Sequence, residues 1–482
     1  MRQHDHAGQA RTSACTGDQA ARRPIAATSN KVATLLLLVV VALAPLPYGS
    51  VGPVPLLAWC SMLAVALGLA SLRALDGRHF LVLGGVAVVV CAHLLVLHEQ
   101  VSPHPFFTIS SPDPAWQDAG EVLGTPTRPS VAMVRDQPLL SLGPSLAAIL
   151  TLLVAFIVCV DRDHAHRLVQ VTAWSGTAYA VYGIIAFLID PTHVLWMKKE
   201  AYTTVLTSTF INRNSAAIYF GSCAILWLLI LAERLRAQLP RGISLSLSML
   251  ARPLRQPRRG AVVGLAAFLA CLIAMFLTGS RAGVILSMLA AVMAFGLFTL
   301  TAIRLGRNRM RLFLMAGCVT IVLMQVLGAG VLGRLDRQGL SGEGRVETYR
   351  STLAMIDDHP WLGTGLGTFA WVFPAYRGDA ESSWGIWDRA HSTPLEIAAE
   401  MGVPLAAVVV ASWAGAFIIL GFGLWNRNRD HIVVIAALAV GGLAVLHSLI
   451  DFSLQIPGVA VIVLALVGAG LAQSFRAARP ST

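Results

Sequence analysis

The apolar residues of this chain fall in long runs of about 18–22 residues, the length that an α-helix needs to cross a hydrocarbon core of roughly 30 Å. Only 13% of the residues are charged, against roughly 25% in soluble domains. The sequence therefore predicts an all-α polytopic membrane protein of about twelve transmembrane helices. The runs lie at 31–48, 54–72, 79–97, 142–160, 169–189, 214–232, 261–279, 283–303, 312–332, 402–424, 431–450 and 457–474.

The net charge of +11 follows the predicted topology. With the N-terminus in the cytoplasm, the inner segments hold 24 of the 36 Lys and Arg residues, and the outer segments hold 12. This bias is the positive-inside rule. We therefore expect both termini to be cytoplasmic, and we expect no nucleic-acid partner.

The spans divide the chain into a few blocks. Helices 1–9 are predicted within 31–332 and helices 10–12 within 402–474, between a disordered cytoplasmic tail (1–30) and a short one (475–482). Outer loops are predicted at 98–141, 190–213 and 333–401, and the last is a large, partly helical periplasmic loop. The proline-rich loop 98–141 shows no helical period, so it is predicted to be irregular.

No pattern indicates a metal ion or an organic cofactor. No outer loop contains a cysteine, and no CxxC spacing occurs, so neither disulfides nor a metal site is expected. Gly363, Gly365 and Gly367 have the wrong spacing for a dinucleotide loop and follow no predicted strand. A backbone turn near the membrane is the better interpretation.

Two arginines stand at outer starts of predicted spans, against the topological bias. Arg213 opens the sixth span, with Asn212 or Asn214 as the N-cap, and Arg281 opens the eighth, after Ser280. A helix N-terminus offers unpaired N–H groups and partial positive charge, and a guanidinium adds a fork suited to phosphate oxygens. We expect a diphosphate site here, although arginines at such depth also snorkel to lipid phosphates.

A histidine precedes a third outer helix start. Thr393 and Glu396 have capping-box spacing, and Pro394 suits the first helical position, with His391 just ahead. Histidine exchanges protons near neutral pH without large tuning, so His391 is the candidate catalytic residue. A structural hydrogen bond is the alternative role.

The late loop also contains a predicted amphipathic helix. Its apolar face is Val346, Tyr349, Leu353 and Ile356, spaced 3, 4 and 3 residues apart. Arg345 and Arg350 lie on the same helix. Either arginine is a candidate for contact with an anionic substrate or an ordinary solvated charge, the latter being favoured for Arg350.

Four stretches of the sequence stand out together: 209–214 (TFINRN), 278–283 (TGSRAG), Gly344-Arg345 through 359–365 (HPWLGTG), and 391–396 (HSTPLE) with 400–402 (EMG). In this order they resemble the bacterial O-antigen ligase and polysaccharide polymerase superfamily. Two residues differ from common family patterns: Ser392 stands where asparagine is frequent, and Ser215 where histidine is frequent.

The resemblance implies an inverting, metal-independent glycosyltransferase of C-type membrane fold in the bacterial inner membrane, with its active site facing the periplasm and no cofactor. The implied donor is a glycan on undecaprenyl diphosphate, and the acceptor is a glycan, lipid or protein. Arg213 and Arg281 would bind the diphosphate, with Arg345 a further contact, and His391 would assist the acceptor hydroxyl. Asn212, Asn214, Ser280 and Arg350 are secondary candidates, and polysaccharide-export machinery is a candidate partner in exopolysaccharide biosynthesis.

Other functions stay open at this point. A ligase and a polymerase are not separated by these residues. A polyprenol-glycan flippase or another export transporter would also have a dozen spans, although transporters usually show repeated halves and midplane charges. A scaffold that binds lipid-linked sugar without turnover is a third possibility.

Overall fold

The protein is almost wholly helical. The computed structural model describes residues 28–107, 112, 114–238, 259–302, 343–378, 387–426 and 431–475. The helices are α1 Thr28–Leu43, α2 Pro53–Leu69, α3 Gly77–Val101, α4 Ala115–Leu123, α5 Gln137–Leu140, α6 Gly143–Val158, α7 Arg162–Ile189, α8 Arg213–Ala237, α9 Arg259–Leu277, α10 Arg281–Ala302, α11 Glu343–Asp358, α12 Phe369–Tyr376, α13 Thr393–Met401, α14 Val403–Asn426, α15 Ile432–Ser448 and α16 Pro457–Ser474; an antiparallel hairpin joins β1 His193–Val194 to β2 Met197–Lys198.

Within the described residues, seven helices are long and apolar enough to cross a membrane: α3, α7, α8, α9, α10, α14 and α16. Four shorter apolar helices, α1, α2, α6 and α15, fall on four more of the predicted runs. The remaining predicted run, 312–332, lies outside the described residues. An all-α membrane protein is thus confirmed, whereas the number of twelve spans stays a prediction.

Contacts between helix ends sort those ends into two groups. At one end, the Thr209 hydroxyl donates to the Pro45 carbonyl over 2.7 Å, and the Leu206 N–H donates to the Leu277 carbonyl over 3.1 Å. At the opposite end, the Arg234 guanidinium donates to the Gly260 carbonyl over 2.8 Å. The first group, here called the site end, includes the starts of α8 and α10.

Small residues let α8 and α10 run parallel in close contact. A Cβ on Gly221 would lie 2.0 Å from the Ser287 hydroxyl, and one on Gly283 would lie 2.6 Å from the Ala217 Cβ. Small residues four apart on both helices permit this approach, as in other membrane helix pairs. The packing brings two helix N-termini together at the site end.

The described part of the late loop packs on the site end through α11, α12 and α13. Gly363, Gly365 and Gly367 have φ of 67°, 114° and 75°, which confirms the predicted turn because these angles favour glycine. A Cβ on Gly363 would lie 2.3 Å from the Glu400 backbone. The Gly365 N–H donates to the Glu400 carbonyl over 3.0 Å. This turn therefore holds α13 in place.

Several local predictions were wrong. On α11, Val346 and Leu353 are 50% and 49% exposed, whereas Ile356 of the predicted face is buried; the rest of the buried side is formed by Thr348, Ser351, Thr352 and Met355. The helix packs through small polar side chains, which an apolar pattern does not reveal. Loop 98–141 contains the helix α4, and α1 begins inside the predicted disordered tail, at Thr28.

The α8–α10 packing yields a stability prediction. Gly221→Val should destabilise the fold by about 1–3 kcal/mol, because the added carbons overpack the contact with Ser287. Gly85→Val on α3 is the matched control, since a Cβ there meets no atom within 4 Å. Thermal unfolding in detergent should show a lower Tm for the first variant alone. Equal Tm values would contradict the close packing.

Candidate functional site

Arg213 lies at the first position of α8. The Asn212 side chain caps the helix by accepting the Asn214 N–H over 2.7 Å, so Asn212 takes the capping role for which two asparagines were candidates. The Tyr202 ring centroid lies 5.1 Å from the central guanidinium carbon of Arg213, within cation–π range. Tyr202 also has a positive φ of 60°. The segment before α8 thus folds back over the helix start.

Arg281 lies at the first position of α10, and Ser280 caps that helix by accepting the Gly283 N–H over 3.3 Å. The Ser280 hydroxyl also donates to the Asn214 side-chain carbonyl over 2.8 Å. The residues next to the two arginines are therefore hydrogen-bonded to each other. The structure brings the two predicted helix starts together.

Asp451 joins these helix starts to the rest of the site. Its carboxylate is buried, 1% exposed, and accepts the Asn214 amide N–H over 2.6 Å and the Ser453 hydroxyl over 3.0 Å. The Thr393 hydroxyl donates to its backbone carbonyl over 3.3 Å. Sequence reasoning missed Asp451, although an acidic residue in a short outer connection without any Lys or Arg was a visible signal.

Arg345 and His391 reach the same place from the late loop. An Arg345 Nη donates to the Ile450 carbonyl, next to Asp451, over 3.4 Å. The Tyr349 hydroxyl donates to the His391 carbonyl over 3.1 Å. The His391 ring lies 5.3 Å from the Phe452 ring, centroid to centroid. His391 and Arg345 therefore both contact the turn that carries Asp451.

The environment favours neutral imidazole at His391. Burial lowers its pKa from the ordinary value; Asp451 opposes this shift, Arg345 adds to it, and Asp388 opposes it more weakly. Its Nδ1 is buried and has no hydrogen-bond partner among the residues described. A neutral imidazole near pH 7 is able to accept a proton.

The same charged groups act on the pKa of Tyr202. Burial raises the pKa of its hydroxyl; Arg213 opposes the shift, Asp451 adds to it, and Arg345 opposes it. Charges from α8, α11 and the turn after α15 thus act on one side chain. These groups therefore lie in one region at the site end.

The predicted capping box at the start of α13 is wrong. The N-cap is Ser392, without a side-chain cap bond, and Pro394 is the second helical residue instead of the first. The Glu396 carboxylate accepts the Ala390 N–H over 2.9 Å and pairs with Arg389 over 2.9 Å. Thr393 bonds Asp451 instead of a cap position, so both capping partners are engaged elsewhere.

Arg350 does not join the cluster. It pairs with Glu347 over 2.9 Å, and its side chain is 70% exposed. In the described parts of the chain, no group of three or more His, Cys, Asp or Glu side chains is arranged to hold a metal ion.

Comparison with protein families gives one match. A family model described as O-Antigen ligase matches residues 266–410, a segment that includes Arg281, Arg345 and His391 but ends before Asp451. The match confirms the family resemblance and supports a membrane glycan ligase or polymerase. A search of curated proteins found no match.

The buried bridge between the two helix starts yields a second stability prediction. Asn214→Ala should destabilise the fold by about 1–3 kcal/mol, because buried Asp451 and Ser280 each lose one hydrogen-bond partner. Ser412→Ala is the control, since Ser412 is exposed and bonds only its own helix backbone. Thermal unfolding should show a lower Tm for Asn214→Ala alone. An unchanged Tm would show that the bridge contributes nothing to the stability of the fold.

Proposed function

We propose that this chain, a member of the O-antigen ligase family through its residues 266–410, transfers a glycan from undecaprenyl diphosphate to an acceptor hydroxyl at the periplasmic face of the inner membrane. The proposal includes ligases and polymerases alike. Arg213, Arg281 and Arg345 bind the diphosphate of the donor, and His391 accepts the proton of the acceptor.

The observation that carries this proposal is the pair of parallel helix N-termini, each starting with an arginine and joined through Asn214 and Ser280. The helix dipole favours an anion at the N-terminus by roughly 0.3–1 kcal/mol. An arginine at that position adds positive charge to an end that is already positive. Two such ends side by side concentrate positive potential. A diphosphate, with charge at both phosphates, matches that arrangement.

In the proposed reaction, the acceptor oxygen attacks the anomeric carbon as the bond from that carbon to the diphosphate oxygen breaks. The acceptor proton moves to His391, and the bonding pair leaves with the diphosphate. Arginines at the helix starts stabilise the charge that grows on the leaving group, a type of interaction often contributing several kcal/mol. A single displacement inverts the anomeric centre. The proposal requires no metal ion in any of these steps.

The first test is glycan transfer by purified variants with a lipid-linked donor. Arg213→Ala and Arg281→Ala should each lower transfer by about 10²–10³-fold, as loss of a charge-stabilising donor does elsewhere. His391→Ala should lower it by about a hundredfold or more. Arg350→Ala, the exposed control on α11, should transfer normally. Wild-type transfer by the His391 variant would remove its acid–base role, and donor binding without turnover by the wild type would favour a scaffold.

The second test is the pH profile of transfer. His391 acts as a base only when it is unprotonated, so activity should fall as pH drops through its pKa. Asp451→Asn removes a charge that stabilises imidazolium, so this acidic limb should move to lower pH; the asparagine oxygen still accepts from Asn214. Asp388→Asn should move it less, and Arg345→Gln should move it to higher pH. A limb that stays fixed in all three variants would exclude His391 as the titrating base.

A further inference from the structure

His391 has a backbone conformation that is uncommon for residues other than glycine. Its φ is 55°, in the left-handed region that few residues other than glycine occupy. Such conformations cost energy and persist when the surrounding contacts over-determine them. The contacts that hold residues 389–393 therefore decide where the imidazole lies.

A buried carboxylate supplies the contacts on the N-terminal side of His391. Glu396 is 2% exposed, and one of its oxygens accepts the Ala390 N–H over 2.9 Å. The other oxygen accepts an Arg389 Nη over 2.9 Å. The two residues immediately before His391 are thus tied to one side chain on α13.

Arg389 extends this tie to the turn that carries Asp451. The same Nη donates to the Gln455 side-chain carbonyl over 2.8 Å, and Gln455 ends the short 3₁₀ turn Ser453–Gln455. Glu396, Arg389 and Gln455 form what we call the clamp. The clamp links the backbone that precedes His391 to the segment whose carboxylate faces it.

Stability alone does not account for burying the Glu396 carboxylate, whose partner Arg389 has a side chain that is 36% exposed. Desolvation of a buried ion pair often cancels its attraction, and apolar residues of similar volume are frequently as stable. Burial raises the pKa of Glu396, and Arg389 opposes the shift, so the carboxylate carries a real desolvation cost. A gain in positional precision gives a physical reason for retaining it.

We propose that Glu396 and Arg389 are positioning residues, whose clamp holds the imidazole of His391 in the orientation required for proton transfer. The inference rests on the proposed role of His391. Loss of the clamp should free the backbone at residue 391, and misplacement by about 1 Å is enough to cost on the order of a hundredfold in rate. Donor binding should be preserved, because the proposed diphosphate contacts at Arg213 and Arg281 lie on other helices.

The experiment follows the chemistry of His391 directly. Wild type, Glu396→Ala, Glu396→Gln and the control Glu347→Ala are treated with diethyl pyrocarbonate at neutral pH, and carbethoxylation is measured by peptide mass spectrometry. His193, on the β1–β2 hairpin, is the internal reference. Transfer kcat, thermal stability and binding of undecaprenyl diphosphate are measured on the same preparations.

We expect the modification rate of His391 to change several-fold in Glu396→Ala, relative to His193, with kcat about a hundredfold lower and donor affinity within about twofold of wild type. Glu396→Gln retains one acceptor and should fall between wild type and Glu396→Ala in both measurements. Glu347→Ala, which breaks only an exposed pair, should match wild type.

Unchanged modification of His391 in Glu396→Ala would overturn the clamp, whatever the transfer rate. Changed modification with wild-type kcat would also overturn the positioning role. If the modification rate changes and His391→Ala itself transfers normally, the clamp holds the histidine but the proposed function of His391 fails. The labelling measurement thus separates failure of the inference from failure of the function on which it rests.

Discussion

The arrangement on which the rest of the structure depends is two parallel helix N-termini in contact, each beginning with an arginine. The positive ends of two helix dipoles repel each other when they lie side by side, and an arginine at each helix start adds positive charge. The buried bridge of Asn214, Ser280 and Asp451 opposes it, because it supplies hydrogen bonds and a carboxylate at the same point. A site that keeps this much positive potential is prepared for an anionic ligand.

Packing along the first turns of α8 and α10 makes the arrangement possible. Small residues on α8 and α10 let the helix axes approach, so that the helix starts come within one side chain of each other. The late loop places His391 and Arg345 next to these helix starts, and the turn after α15 places Asp451 there. Segments separated by more than a hundred residues therefore converge on one region. A shift of any of these segments would move the proposed proton acceptor, His391, away from the proposed phosphate contacts.

Much of this was predictable from the sequence, because long apolar runs and helix-start residues act locally. The positions of Arg213, Arg281 and His391 just at helix starts follow from capping residues and topology alone. Asp451 was harder to identify: one acidic residue in a short connection has no period or motif, and its partner Asn214 lies more than two hundred positions away. Apart from Ile356, the buried face of α11 was missed because it packs largely through threonine and serine. The capping box failed because Glu396 bonds the backbone before His391 instead.

The most direct test of the central claim is the structure of the protein bound to undecaprenyl diphosphate in lipid nanodiscs, with density good enough to place both phosphorus atoms. The account predicts that the diphosphate lies between the N-termini of α8 and α10, with guanidinium nitrogens of Arg213 and Arg281 within about 3 Å of its oxygens, the usual length of a charge-assisted hydrogen bond. A diphosphate bound elsewhere, with both arginines facing lipid or protein walls, would contradict it.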